Sequence, residues 1–467
     1  RIGAAYQLSS KLVLRGGYGL YFLNPNNDFL KTTGFSTNTP LVNSLDDGRS
    51  LASNNLLANP YPTGINRPSG ASLGYATFVG QNYTWYNPTM RTPYVHQFSA
   101  GFQYQLGQAS TIEFSYVGSR TRNANTERDF NLPSDLRQRC SLLEGGNPNF
   151  CNEQIPNPFR GVEAFRGTGF FTANTLSRFQ LSRPFPQFNG NLLEQGRGES
   201  DIFYNSLQIN YNVRMGRSLT LLANYTLSKM VERWGQSDPY ANVAQQGLYF
   251  NDRPHYVKFS TVWELPFGRG KAIGQNAGAV VNKLIGGWSF STYSQVSSGE
   301  PNNLNGNVIM LKDPLTKGGD WTGKVDWSKH QVQGWNPCVL RQFNDGSVRP
   351  QQFSIDRGCG TDTANYAWLM VADYAAARYT PSRSGQIRKQ PLFNIDFAFS
   401  KMTSITEKVR AQFRLEAFNA TNYYFFGRDS NFNTNPNDPN FGTLFPSQAW
   451  IGNGYPRQVQ LGFKVLW

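Results

Sequence analysis

Residues 94–106, YVHQFSAGFQYQL, carry the pattern on which the fold turns. Their even positions, Tyr94, His96, Phe98, Ala100, Phe102, Tyr104 and Leu106, form a greasy set, and Gln97, Ser99, Gly101, Gln103 and Gln105 fall between them. Successive side chains of a strand point to opposite faces, so a period of two makes a ribbon with one apolar and one hydrated surface. Residues 203–214 divide as sharply, with Leu207, Ile209, Tyr211 and Val213 against Ser206, Gln208, Asn210, Asn212 and Arg214.

The same period recurs in eleven segments: 1–8, 12–22, 94–106, 110–120, 203–214, 219–230, 254–265, 288–298, 391–402, 408–419 and 456–467. Their lengths lie near the roughly 9 to 11 residues that a tilted membrane strand needs. The weakest is 288–298, where Thr292 and Ser294 fall in the apolar row. A half-buried sheet in a soluble sandwich would alternate too, so the connections have to decide. Residues 9–11, 107–109, 214–218 and 403–407 are tight links rich in Gly, Ser and Thr. Residues 23–92, 121–201, 231–253, 299–390 and 421–455 are long and rich in Asn, Pro and Gly. Short and long links take turns along the chain. Residues 266–287 are a longer link on the short side, in which 277–284 is expected to form one or two helical turns ended by Gly286 and Gly287. The pattern predicts an all-β, antiparallel up-and-down transmembrane β-barrel with short periplasmic turns and long extracellular loops.

Composition fits a chain whose apolar residues come singly. Hydrophobic residues make up 39% and the mean hydropathy is -0.50, yet aromatics reach 14%, with 34 Phe, 23 Tyr and 10 Trp. No run of about 18 apolar residues exists, which excludes a transmembrane helix but not a barrel. Aromatics collect near strand ends, as an interfacial girdle would place them: Tyr18, Phe22, Tyr94, Tyr104, Tyr116, Trp263, Trp288, Phe463 and Trp467. The competing reading is the aromatic core of a soluble sheet. The net charge of +14 has no block of five or more Lys and Arg, so a nucleic-acid partner is not expected. Anionic lipid headgroups or an anionic ligand at basic loops account for it as well. The chain opens inside an alternating segment without a signal peptide, so it is read as the C-terminal portion of a longer protein.

In the barrel reading, the hydrated rows line the lumen with Arg15, Glu113, Arg214, Lys258, Glu264, Asp396, Arg410, Arg414, Glu416 and Lys464. Such charges hold a plug, pair with one another, or mark a substrate path. Tyr83, Trp85 and Tyr86, with Trp321, Trp327 and Trp335, are candidate ligand-stacking aromatics of the long loops, with packing of the loops on themselves as the plainer role. Cys140 with Cys151 and Cys338 with Cys359 form two local pairs whose spacing suits disulfides in an oxidising compartment. Zinc would call for tighter Cys spacing and His partners, whereas His96, His255 and His330 are scattered. Residues 268–271 (GRGK) lack the leading Gly and the following Ser or Thr of a P-loop. No H-E-x-x-H or G-x-S-x-G occurs, so neither an enzyme nor a cofactor is expected.

The terminal segment alternates Val459, Leu461, Phe463 and Val465 up to a C-terminal aromatic, Trp467. This resembles the signal by which outer-membrane barrels engage the barrel-assembly machinery. Residues 265–270 (LPFGRG), 285–288 (IGGW), 298–301 (SGEP) and 413–422 (FRLEAFNATN) resemble pieces of the Oar-like TonB-dependent receptors. The resemblance implies a cell outer membrane location and a 22-stranded barrel, of which about eleven strands are here, with a plug and a TonB-contacting segment upstream. It also implies ligand-gated active uptake of an iron chelate, oligosaccharide, cobalamin or peptide, without naming the ligand. Alternatives are a barrel acting in adhesion or secretion, and a soluble multi-stranded β binding protein.

Overall fold

The computed structural model describes residues 1–23, 37–41, 44, 46, 49–51, 58–61, 64–133, 136–216, 218–234, 245–304, 308–315, 325–326, 331–371, 383–423, 432–444 and 456–467. Long strands form where the sequence alternates: β1 (Ile2–Ser9), β2 (Leu12–Phe22), β3 (Tyr94–Gly107), β4 (Ser110–Ala124), β5 (Ser200–Met215) and β6 (Leu219–Trp234). They continue as β7 (His255–Glu264), β8 (Trp288–Ser297), β9 (Leu392–Ser404), β10 (Arg410–Phe418) and β11 (Gln458–Leu466). Each pairs antiparallel with its sequence neighbours, giving one open meander from β1 to β11. Among the described residues no helix is long and apolar enough to cross a membrane.

Register keeps the two surfaces apart, because directly opposed residues share a face. One row runs Val13, Gln103, Glu113, Asn210, Asn224, Lys258, Gln295, Asn394 across eight strands. The row beside it, on the other face, runs Leu14, Phe102, Phe114, Ile209, Tyr225, Val257, Val296, Phe393. A slip of one residue in any strand would put Gln or Lys among the Phe side chains. Two hydroxyls that fall on the apolar face donate to backbone carbonyls. Thr261 donates to the Thr220 carbonyl at 2.8 Å, and Thr292 to the Asp396 carbonyl at 2.6 Å. Hydrocarbon offers them no other partner.

Three strands outlast the alternation. β4 runs on to Ala124, β5 starts at Ser200, and β6 reaches Trp234, where the short strand Gln245–Leu248 joins it. Pairing there continues past the point where the apolar row stops. Arg122 and Arg233 there share the Asp201 carboxylate at 2.8 and 2.7 Å.

The long loops are not the patternless segments that their composition suggests. The largest buried apolar cluster lies in them and joins Leu304, Val308, Trp335, Val339, Trp368, Met370, Ile387, Phe432, Phe441 and Leu444. A four-stranded sheet, Val308–Met310, Trp368–Met370, Val339–Gln342 and Val348–Pro350, lies within the loop after β8. Gln331–Gln333 of that loop pairs with Thr443–Leu444 of the loop after β10. The physical reason is simple: strand side chains that face lipid need no protein partner, so a dry interior can form only where chain folds on chain. Cys140–Cys151 and Cys338–Cys359 are disulfides inside these loops, with Cα separations of 5.9 and 5.8 Å.

On the short-link side, helix α1 covers Ala279–Ile285, shifted two residues at its start from the sequence expectation. It ends at Gly286 and Gly287. The latter has φ 74°, and a Cβ there would stand 2.1 Å from the Met402 carbonyl oxygen.

Candidate functional site

All ten charged side chains expected along the lumen fall on the hydrated face by register. Arg15 opposes Gly101, Glu113 opposes Asn210, Arg214 opposes Thr220 and Lys258 opposes Asn224. Glu264 opposes Ser289, Asp396 opposes Tyr293, Arg410 opposes Ser404, Arg414 opposes Ser400, Glu416 opposes Ala398 and Lys464 opposes Gln412. They do not converge on one point. Arg414 and Glu416 pair at 2.6 Å, and Glu264 meets Lys271 of the following turn at 3.4 Å. Asp396 accepts from the Asn419 amide at 2.8 Å, anchoring the end of β10. Arg15 and Glu113 border a hollow of about 460 Å³ floored by Gly3, Ala5, Gly101 and Ser115.

Val459, Leu461, Phe463 and Val465 oppose Ala417, Leu415, Phe413 and Ala411 on the apolar face. Phe463 and Trp467 are 71% and 93% exposed, the state of side chains that face lipid rather than protein. Of the loop aromatics, Tyr83 stacks on Phe78 and Trp85, with centroids 5.3 and 5.9 Å apart, and Trp85 leans on Phe130. Tyr86 ends the same short strand, Tyr83–Tyr86, which runs parallel to Leu192–Gln195. Trp335 departs from a ligand-stacking role: it is 1% exposed and packs on Phe432 and Phe441, so its surface is spent on the loop core. Trp321 and Trp327 lie outside the described residues.

The most constructed polar region lies where three long loops meet above β6, β7 and β8. Arg388 grips the buried Asp252 at 2.8 Å. Glu300 takes Arg253 at 2.6 Å and Lys389 at 3.4 Å, and Glu232 takes Arg383 at 2.5 Å. Burial works against ionisation of Glu300. The hydrogen bond and charge of Arg253, with those of Lys389, outweigh it and hold the carboxyl below its ordinary range. Below these pairs opens a cavity of about 510 Å³, within the usual size for small-molecule pockets. Its walls include Phe250, Asn302, Asn303, Phe432 and Thr434. Asn302 sits in the short strand Pro301–Asn303, which pairs with Arg383–Arg388 across a register shift. Among the described residues neither carboxamide atom of Asn302 has a hydrogen-bond partner, though the residue is 1% exposed. Sequence reasoning stopped at residues 298–301 (SGEP), one position short of Asn302. Nothing distinguishes this Asn from the others of Asn-rich loops except its place after that motif.

A neighbour-to-neighbour antiparallel meander, apolar on one face and charged on the other, with its large loops all on one rim, defines an outer-membrane β-barrel protein. The chain belongs to the outer membrane beta barrel domain family, whose model matches residues 1–460, and its location is the outer membrane. No curated protein matches it. Among solved structures it is similar to the outer membrane transporter YddB from Escherichia coli, at 8% identity and TM-score 0.38, over 98% of this chain and 38% of that one. It is similar also to the ferripyoverdine receptor of the outer membrane of Pseudomonas aeruginosa, at 8% identity and TM-score 0.38, over 100% and 32%. A third is the ferric-catecholate import receptor Fiu from K12 E. coli, at 8% identity and TM-score 0.37, over 99% and 34%. The chain thus spans about a third of the length of each, and likeness at this level carries no argument about activity.

Proposed function

We propose that this chain is the C-terminal barrel portion of a TonB-dependent outer-membrane receptor that takes up a scarce nutrient captured at its long-loop rim. The observation that carries the reading is the charged face. Ten ionisable side chains occupy one surface of the sheet, while the rows of the other surface stay apolar through their middle. Charge at mid-depth against lipid costs roughly 2 to 4 kcal/mol per Arg or Lys, so the charged surface is an inner wall against water or a polar plug. Strands β1 and β11 each pair on one side only among the described residues. Free edge amides do not face hydrocarbon, so we propose that further strands close the barrel. In this reading the plug and the TonB contact belong to the rest of the protein, β11 engages the barrel-assembly machinery, and no residue acts in catalysis.

The test uses the full-length protein in its own cells, with and without TonB. Growth is measured on iron chelates, cobalamin, oligosaccharides and peptides, each supplied as the limiting nutrient. Loss of the receptor and loss of TonB should abolish growth on the same nutrient. A receptor deletion that leaves growth on every nutrient unchanged, but removes surface attachment or secretion, would replace uptake with the adhesion or secretion role.

A further inference from the structure

We propose that the cavity between the three loops above β6 to β8 is a binding site for a neutral, hydroxyl-rich ligand, a saccharide, with Asn302 as its central hydrogen-bonding group. This deepens the uptake reading and rests on it.

The cavity takes one wall from each of three separate loops: Phe250 before β7, Asn302 and Asn303 after β8, and Phe432 and Thr434 after β10. A buried carboxamide offers two donors and two acceptor lone pairs, and leaving them unmade costs stability. Native proteins rarely keep such a group without a reason, and among the described residues both carboxamide atoms of Asn302 are unpartnered at a cavity wall. An adjacent donor and acceptor is the arrangement that two neighbouring hydroxyls of a sugar ring satisfy together.

Charge narrows the ligand class. Among the described residues the two cations that line the cavity each hold a carboxylate, Arg383 that of Glu232 and Lys389 that of Glu300. An anion would compete with Glu232 and Glu300 for these cations, whereas Asn302, Asn303 and the Thr434 hydroxyl offer neutral hydrogen-bonding groups at the same wall. Phe250 stands half-exposed at the same wall and offers a ring face to the apolar side of a sugar. A purely apolar ligand would bury the carboxamide without compensating it, which argues against lipid or hydrocarbon.

The test uses the full-length protein in detergent on an array of neutral and acidic oligosaccharides, followed by calorimetry with the best-retained sugar. Neutral oligosaccharides should be retained. Asn302→Leu should weaken that binding about tenfold or more while the amount of folded, heat-modifiable barrel stays equal or rises, because an unpaired buried amide has been replaced by an apolar group of similar shape. Should Asn302→Leu fail to assemble, the exposed Phe250→Ala carries the same test, with a loss of about fivefold to tenfold expected. Retention of acidic sugars alone, retention of none, or equal affinity in the substituted proteins overturns the assignment. Continued TonB-dependent uptake of a different nutrient would reject the saccharide site and leave the transport role standing. Saccharide binding without TonB-dependent uptake would do the reverse.

Discussion

Arg357 shows how a single residue joins two loops. Its guanidinium donates to the carbonyls of Pro439 and Phe441 at 2.9 and 2.8 Å, to the Thr443 hydroxyl at 3.1 Å, and to the Gln333 side chain. Burial lowers its pKa and Asp438 opposes that shift, so it stays charged and bonds as a fork. Arg357→Ala should cost the loop assembly about 1.5 to 3 kcal/mol, the range for hydrogen bonds to a charged group. Faster proteolysis of the loops on intact cells, with an unchanged amount of assembled barrel, is the expected readout. Lysine at this position should recover little of the loss, since a point charge cannot reproduce the fork. At Glu300 the folded carboxyl titrates below the ordinary 4.5, so its pairing contributes stability above that pH and loses it as pH falls through the lowered value. Protection of amides around Glu300 against hydrogen exchange, taken relative to the intrinsic rate at each pH, should therefore hold steady from neutral pH down to about pH 5 and fall below it. A loss of protection beginning near neutrality would contradict the assignment of Arg253 and Lys389 as its partners.

At the scale of elements, most strands state their two faces in the sequence, least clearly in β8, where Thr292 and Ser294 sit in the apolar row. Phe102 and Gln103 are adjacent, yet Phe102 opposes Phe114 in the apolar row and Gln103 opposes Glu113 in the charged one. Phe102→Lys should reduce folded barrel by an amount matching about 2 to 4 kcal/mol, and Gln103→Lys should be tolerated. Equal damage from both, read by heat-modifiable migration, would mean that the faces are misassigned. Phe463→Asp should likewise lower assembly of the full-length protein. Alternation made these strands legible because lipid on one side and water on the other impose it residue by residue. The continuation of β4 to Ala124 was illegible because Thr121, Arg122, Asn123 and Ala124 carry no alternation of apolar and polar side chains. The cavity was hidden more deeply, since Phe250, Asn302 and Thr434 lie far apart in sequence and only the folded loops bring them together. Packing of the loops was the plainer expectation for Trp335, and it holds, but its partners Phe432 and Phe441 were not legible because they come from a different loop.

For the whole molecule, the division of labour is unusual among folded chains. The sheet supplies a wall that is apolar on one face and charged on the other, while the principal dry core among the described residues belongs to the loops, in Trp335, Val339, Trp368 and Phe441. The two halves of that arrangement should respond differently to solvent. Detergents that replace lipid act on the wall, whereas reductants act on the loops through Cys140–Cys151 and Cys338–Cys359. Closing loops of this size contributes on the order of 3 kcal/mol each. Reduction should therefore loosen the rim without opening the strands, as seen by thiol alkylation that rises fully before the barrel loses heat-modifiability.

The strand Val339–Gln342 runs parallel to Trp368–Met370, and Cys338 at its entrance is bonded to Cys359 before the chain returns. A protease meeting the cell from outside and cutting within 343–358 would produce two pieces that remain one object, tethered by sulfur and still clasping the same tryptophans. Such a clip would be silent on a non-reducing gel and visible on a reducing one. The surface of this protein can thus carry cuts without losing its shape, which suits a molecule whose rim is the part most exposed to other organisms' enzymes.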